Sequence, residues 1–301
     1  MRRIAPLVFS MIAAASASFG ALACAGAARA DAAAAPPRSP VEAAAPASAG
    51  VRERVDRGAR GLFAAERVEG VFVLRSLDRD EQIVTDGVVA GERELPASTF
   101  KVPAALIALE RGVLDGADAT IAWDGVARQV PQWNRDHTLA SALRDSAVWF
   151  FQEVARRVGE AGMRASLESF GYGNADVGGG VDRFWLDGAL RISPREQVEF
   201  MSRLHRRTLP VARRHMELVE HMITRAQAPG WSWRGKTGVI ESGDRVVGWL
   251  VGLAERDGRT WAYALMVRGP VAEESRLIEM RPRLARALLI HFGALPEGAA
   301  G

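Results

Sequence analysis

The order in which the apolar period changes along this chain is what most restricts its fold. Near the start, Val71-Phe72-Val73-Leu74 and Gln82-Ile83-Val84-Thr85 flank Asp78-Arg79-Asp80, the pattern of a β-hairpin that opens the domain. Near the end, residues 245–253 and 261–267 are again strand-like and lead into a terminal helix over about residues 274–292. Between the two ends the pattern is mainly helical over residues 139–204, broken by a glycine-rich turn at residues 171–180. Strands at both ends with helices between them predict an α+β fold: an antiparallel β-sheet flanked by the terminal helices, with an inserted all-helical lobe. No internal repeat is visible.

Ahead of that domain, residues 1–30 read as a signal peptide. Arg2 and Arg3 precede an apolar stretch over residues 4–23, and Ala28-Arg29-Ala30 supplies the small-residue cleavage site. Pro6, Ser10, Ser16 and Ser18 weigh against a membrane-spanning helix. Cys24, after Ala21-Leu22-Ala23, offers lipoprotein anchoring as the lesser alternative. Cleavage after Ala30 gives a periplasmic chain without cysteine, which excludes disulfides and thiolate chemistry. Residues 31–50 are an Ala/Pro-rich disordered leader, and residues 51–301 form the catalytic domain. The formal net charge of +3 equals the three arginines of residues 1–30, so the remainder is neutral and a nucleic-acid partner is not indicated. His137, His205, His215, His221 and His291 have neither metal-ligand spacing nor a triad context, so no metal site is expected.

All but two of the 39 basic residues are arginine. The two lysines sit in Ser98-Thr99-Phe100-Lys101 and Lys236-Thr237-Gly238, where a group able to lose its proton has a use that a guanidinium does not. Pro96 introduces a helix with apolar residues at Val102, Ala105, Leu106 and Leu109. Ser98 and Lys101, three apart, share one of its faces near the N-terminus. A neutral amine there activates the hydroxyl as a nucleophile, and the helix N-terminus stabilises the oxyanion; the bland alternative is a capping serine and a solvated lysine. Lys236-Thr237-Gly238 precedes a β-hairpin. A strand edge there offers N–H groups, the hydroxyl and ammonium attract a carboxylate, and the glycine leaves room for a substrate.

Taken together, Ser98-Thr99-Phe100-Lys101, Ser146-Ala147-Val148, Tyr172-Gly173-Asn174, Trp185-Leu186 and Lys236-Thr237-Gly238 resemble, in order and spacing, the signature of the class D (oxacillinase-type) serine β-lactamases. Pro131-Gln132-Trp133-Asn134-Arg135-Asp136 and Phe184-Trp185-Leu186-Asp187-Gly188 also look like that family, whose fold is shared with penicillin-binding proteins. The resemblance implies hydrolysis of β-lactam antibiotics through a Ser98 acyl-enzyme. It makes Lys101, N-carboxylated by carbon dioxide or bicarbonate, the general base of both acylation and deacylation. Trp185 would donate its indole N–H to the carbamate, with Phe100, Val148 and Leu186 as candidates for the apolar wall. Ser146 would relay a proton between Lys236 and the leaving lactam nitrogen. Arg281, with Thr237 and Gly238, would receive the substrate carboxylate, and the oxyanion would sit between the N–H groups of Ser98 and Val239. Tyr172-Gly173-Asn174 reads as pocket wall. Val239 and Leu250 stand where many members carry aromatic residues, which bears on substrate preference. A receptor's penicillin-sensing domain and a cell-wall D,D-peptidase are the competing readings, and the oligomeric state stays open.

Overall fold

Strands from the two ends of the chain meet in one sheet. A computed structural model describes residues 50–299, within a single compact unit; the signal-peptide, leader and Cys24 expectations lie outside the described residues. The chain runs β1 (Arg52–Val55), α1 (Arg60–Ala65), β2 (Glu69–Ser76), β3 (Glu81–Val84), α2 (Lys101–Glu110), β4 (Thr120–Ile121), β5 (His137–Thr138), α3 (Leu139–Arg144), α4 (Val148–Val158), α5 (Glu160–Phe170), α6 (Pro194–His205), α7 (Arg213–Met222), β6 (Thr224–Ala228), β7 (Trp231–Ser242), β8 (Arg245–Arg256), β9 (Arg259–Pro270) and α8 (Glu274–His291). The main sheet has the order β1-β3-β2-β9-β8-β7-β6, so the N-terminal hairpin β2–β3 joins the C-terminal strands through β2 and β9.

The sequence anticipates the hairpin, β8, β9 and α8. The sheet is antiparallel as expected at every pairing but one: β1 pairs parallel with β3. All four β1 residues are exposed, so that strand carries no apolar alternation to betray it. The helical break also extends past residue 180, with no helix between Phe170 and Pro194, and α7 lies beyond the predicted stretch.

Alternation along the strands builds two cores. Val71, Val73, Trp249 and Val251 face the helical lobe, while Phe72, Leu74, Leu250 and Leu265 face α1 and α8 through Phe63, Leu277, Leu284 and Leu288. Helix α2 departs from the amphipathic expectation, since every residue from Lys101 to Leu109 is buried. A helix apolar all round lies inside its lobe rather than on the surface, and here it carries a lysine in with it.

Strands β7 and β8 approach closely where Gly235 pairs with Gly252. A Cβ on Gly252 would lie 2.0 Å from the Arg234 carbonyl oxygen and 2.6 Å from the Gly235 Cα, contacts that only backbone movement can relieve. Gly252→Ala is therefore expected to cost about 3 kcal/mol, lowering the thermal midpoint by about 10 °C in calorimetry. An unchanged midpoint would show that the two strands can separate without penalty.

Candidate active site

A sharp turn and a strand edge face each other at the junction of sheet and lobe. Ser98 lies in a 3-10 turn (Ala97–Phe100) that runs directly into α2, and it stays partly exposed while Ala97, Thr99 and Phe100 are buried. Ala97 takes a left-handed conformation, φ +49°, which costs an L-residue about 1–2 kcal/mol and needs holding. Its N–H donates to the Trp185 carbonyl at 3.1 Å. Thr99 Oγ1 donates to the Pro96 carbonyl at 2.7 Å and accepts from Gln197 Nε2 at 2.8 Å. Trp249 Nε1 donates to the Leu95 carbonyl at 3.0 Å. Gln197 and Trp249 thus fix the turn from α6 and β8, a role the local motif does not reveal.

Lys101 is fully buried, and its Nζ lies 2.5 Å from Ser98 Oγ. No acid pairs with it among the described residues. Burial first, and then the charge of Lys236, pulls its pKa well below the ordinary lysine value. Nζ also stands 5.9 Å from the Phe151 ring, a wall member from α4 that sequence reasoning missed. Phe100 stacks on Trp185 with ring centres 4.8 Å apart and meets Phe184 edge-on at 5.0 Å. Trp185 is likewise fully buried, and its Nε1 has no hydrogen-bond acceptor among the described residues. Leu186 is half-buried and packs against the lobe core, and Val148 is half-buried at the start of α4.

Opposite this pair, Lys236 Nζ lies 2.9 Å from Ser146 Oγ and donates to the Thr237 carbonyl at 3.2 Å. Burial, with the charges of Arg281 and Arg225, lowers Lys236 to about 7. The β6 ladder on β7 ends at Arg234, so from Lys236 onward the outer edge of β7 has no strand partner among the described residues. The turn carrying Ser98 fills that side. A Cβ on Gly238 would lie 3.0 Å from the Pro96 carbonyl oxygen and 3.3 Å from Ser98 N. The glycine therefore makes room for the nucleophile's own turn, not only for a ligand. Val239 is partly buried and packs its side chain against the core shared with α8.

Arg281 is buried, and it crosses the face of Gly248, where a Cβ would meet its Cδ at 2.7 Å. Its Nη1 donates to the Gly238 carbonyl and to the Trp249 carbonyl, the latter at 3.2 Å, and its Nε to the Leu277 carbonyl at 3.1 Å. Burial lowers its pKa to about 10. The arginine expected at the substrate carboxylate thus also ties α8 to the substrate strand, leaving Nη2 without a protein acceptor among the described residues. The Tyr172-Gly173-Asn174 string holds a loop together: Asn174 accepts from Arg191 N at 2.8 Å and donates to the Ala189 carbonyl at 2.9 Å, closing the segment that presents Trp185.

A serine and two desolvated lysines in this arrangement can accept a proton from a nucleophile and return one to a leaving group on the same side of the bond that breaks. The fold and this site define a protein of the penicillin-binding class, and a family model described as the penicillin binding protein transpeptidase domain matches residues 87–288. The chain is 39% identical over 212 residues to the β-lactamase OXA-48 of Klebsiella pneumoniae, covering 70% of this chain and 80% of that protein. It is 35% identical over 209 residues to the regulatory protein BlaR1 of Bacillus licheniformis, covering 69% of this chain and 35% of that protein. The crystal structure of a class D β-lactamase from Sebaldella termitidis aligns with TM-score 0.79 at 27% identity, covering 82% of this chain and all of that one. The chain belongs to the class D serine β-lactamases.

The depressed pKa of Lys236 sets a pH dependence of stability. Below pH 7 the residue is protonated in both folded and unfolded chains, and the folded state bears the full cost of the buried charge. Between pH 7 and 10 the unfolded chain keeps the proton while the folded chain does not, so stability rises with pH. Relative to Lys236→Met, wild type is expected to gain ~2–4 kcal/mol across that window in urea unfolding. A constant difference would mean that Lys236 stays charged in the fold.

Proposed function

We propose that this chain is exported to the periplasm and hydrolyses β-lactam antibiotics through an acyl-enzyme on Ser98, with N-carboxylated Lys101 as general base in both half-reactions. The observation that carries the reading is a fully buried lysine, without an acid beside it, 2.5 Å from a partly exposed serine at the head of a helix.

Ser98 Oγ attacks the lactam carbonyl carbon, and its proton leaves on the Lys101 side. The carbonyl oxygen takes the negative charge within reach of the N–H groups of Ser98 and Val239. The C–N bond then breaks, and the nitrogen takes a proton through Ser146 Oγ from Lys236 Nζ, 2.9 Å behind it. A substrate carboxylate finds Thr237 and the free Nη2 of Arg281. In the second half-reaction water adds to the ester carbon and its proton leaves on the Lys101 side. The C–O bond to Ser98 breaks as Oγ regains the proton held there since acylation, and exchange with solvent carries off the water's proton and restores that of Lys236.

The pocket suits carboxylation of Lys101. Desolvation favours the neutral amine that carbon dioxide requires, and the unpaired Trp185 N–H is a donor that an anion on that amine would satisfy. Such a group supplies a carboxylate-like proton acceptor in place of a weakly accessible amine.

The likeness to BlaR1 gives a second reading, a sensor that is acylated and stays so. Steady-state turnover of a chromogenic cephalosporin and of oxacillin separates the two, since a sensor consumes one equivalent and stops. Ser98→Ala is expected to lose both the covalent adduct and turnover while keeping its fold. Lys101→Arg, which cannot deprotonate, should lose at least about a hundredfold in turnover. An adduct on another serine, or retained activity in Lys101→Arg, would sink the mechanism.

Trp185→Phe keeps an aromatic ring against Phe100 and removes the N–H donor along with part of the ring volume, a packing loss that added bicarbonate would not relieve. Its progress curves should show a burst followed by a stall, relieved by added bicarbonate. The lysine carbamate resonance in carbon-13 NMR with labelled bicarbonate should weaken. Equal signals in both proteins would make Trp185 a packing residue alone.

A further inference from the structure

Ser146 sits where its backbone should not be comfortable. Helix α3 ends at Arg144 with Asp145 as its C-cap, and the next residue, Ser146, has φ +58°. The Ala147 N–H returns to the Ala142 carbonyl at 2.9 Å, so Ser146 fills the left-handed position of a Schellman cap, where glycine is the usual occupant. A serine pays for that conformation, and the hydroxyl must nevertheless stay 2.9 Å from Lys236 Nζ. Something has to hold the peptide plane between Asp145 and Ser146.

We propose that Trp133 is a positioning residue for Ser146, its indole N–H fixing the Asp145–Ser146 peptide so that the hydroxyl remains on Lys236. Trp133 Nε1 donates to the Asp145 carbonyl at 2.9 Å, and that oxygen lies in the peptide plane whose rotation sets the φ of Ser146. The clamp is itself anchored. Trp149 Nε1, from α4, donates to the Trp133 carbonyl at 2.8 Å, and His137 Nε2 lies 3.0 Å from the carbonyl of Gln132 in the same turn. The Asp145 carboxylate is held independently by Arg135 at 2.8 Å and Arg144 at 2.9 Å. The Asp145 side chain is therefore held apart from its carbonyl, and among the described residues Trp133 alone bonds the carbonyl that orients Ser146.

This inference rests on the proposed relay role of Ser146, and it differs from a role for Trp133 as a wall against the substrate. A wall would matter unequally for β-lactams with different side chains and would act whether or not Ser146 is present. A positioning residue acts through the hydroxyl.

The test is a double-mutant cycle on wild type, Trp133→Phe, Ser146→Ala and the double variant, measuring acylation by benzylpenicillin and by a cephalosporin, alongside amide exchange at Ala147 by NMR. Trp133→Phe should slow acylation about tenfold with both substrates. In the Ser146→Ala background it should change the rate less than twofold. Its Ala147 amide should exchange about tenfold faster, with the thermal midpoint near that of wild type. Additive effects in the cycle, or unchanged exchange at Ala147, would overturn the proposal. Exchange needs no turnover, so faster exchange in a protein that fails to acylate would retain the clamp and remove the functional reading beneath it.

Discussion

A lysine taken wholly out of water with no acid beside it is pushed toward its neutral form. Lys101 is in that position because α2 is buried on every side, and the helix is buried because the lobe closes around it. The cost of desolvating an ammonium is several kcal/mol, far more than the loss of a proton from a group whose pKa has already fallen. Burial thereby lowers the Lys101 pKa beside Ser98, with no acid among the described residues to oppose it. The Trp185 N–H, buried without an acceptor among the described residues, lies in the same aromatic pocket, stacked on Phe100.

Two left-handed residues, Ala97 and Ser146, flank the chemistry, and each is held by an indole-bearing residue remote in sequence. The Trp185 carbonyl receives the Ala97 N–H, and the Trp133 indole holds the carbonyl before Ser146. Each backbone strain of about 1–2 kcal/mol is offset by a bond that exists only when the lobe is assembled. The hydroxyls of Ser98 and Ser146 are consequently set by tertiary contacts more than by their own helices. The same logic governs the third motif. β6 is short and its register shifts between Thr224 and Ala226, so its ladder stops before Lys236 and leaves the edge of β7 to the Ser98 turn. Arg281 reinforces that edge from behind through the carbonyls of Gly238 and Trp249.

Some elements could have been read and were not. Met216 and Val219 of α7, with Ile223 after it, follow a helical spacing on the buried side of a charged helix. β1 offered no such signal, being exposed throughout and recruited only because the outer edge of β3 was free. Phe151 and Gln197 look in sequence like an ordinary core aromatic and a helix amide, and only their proximity to Lys101 and Thr99 gives them a part in the site.

The sequence by itself determined the hairpins, the terminal helix, the lobe between them and the pairing of Ser98 with Lys101, because periodicity and three-residue spacing are local properties. Tertiary structure alone decided that burial draws the Lys101 pKa well down, that Lys236 reaches Ser146 across 90 residues of chain, and that Arg281 reaches from α8 to the Gly238 carbonyl of β7. Burial and charge proximity depend on what the rest of the chain brings to a point in space, and no window of sequence contains that.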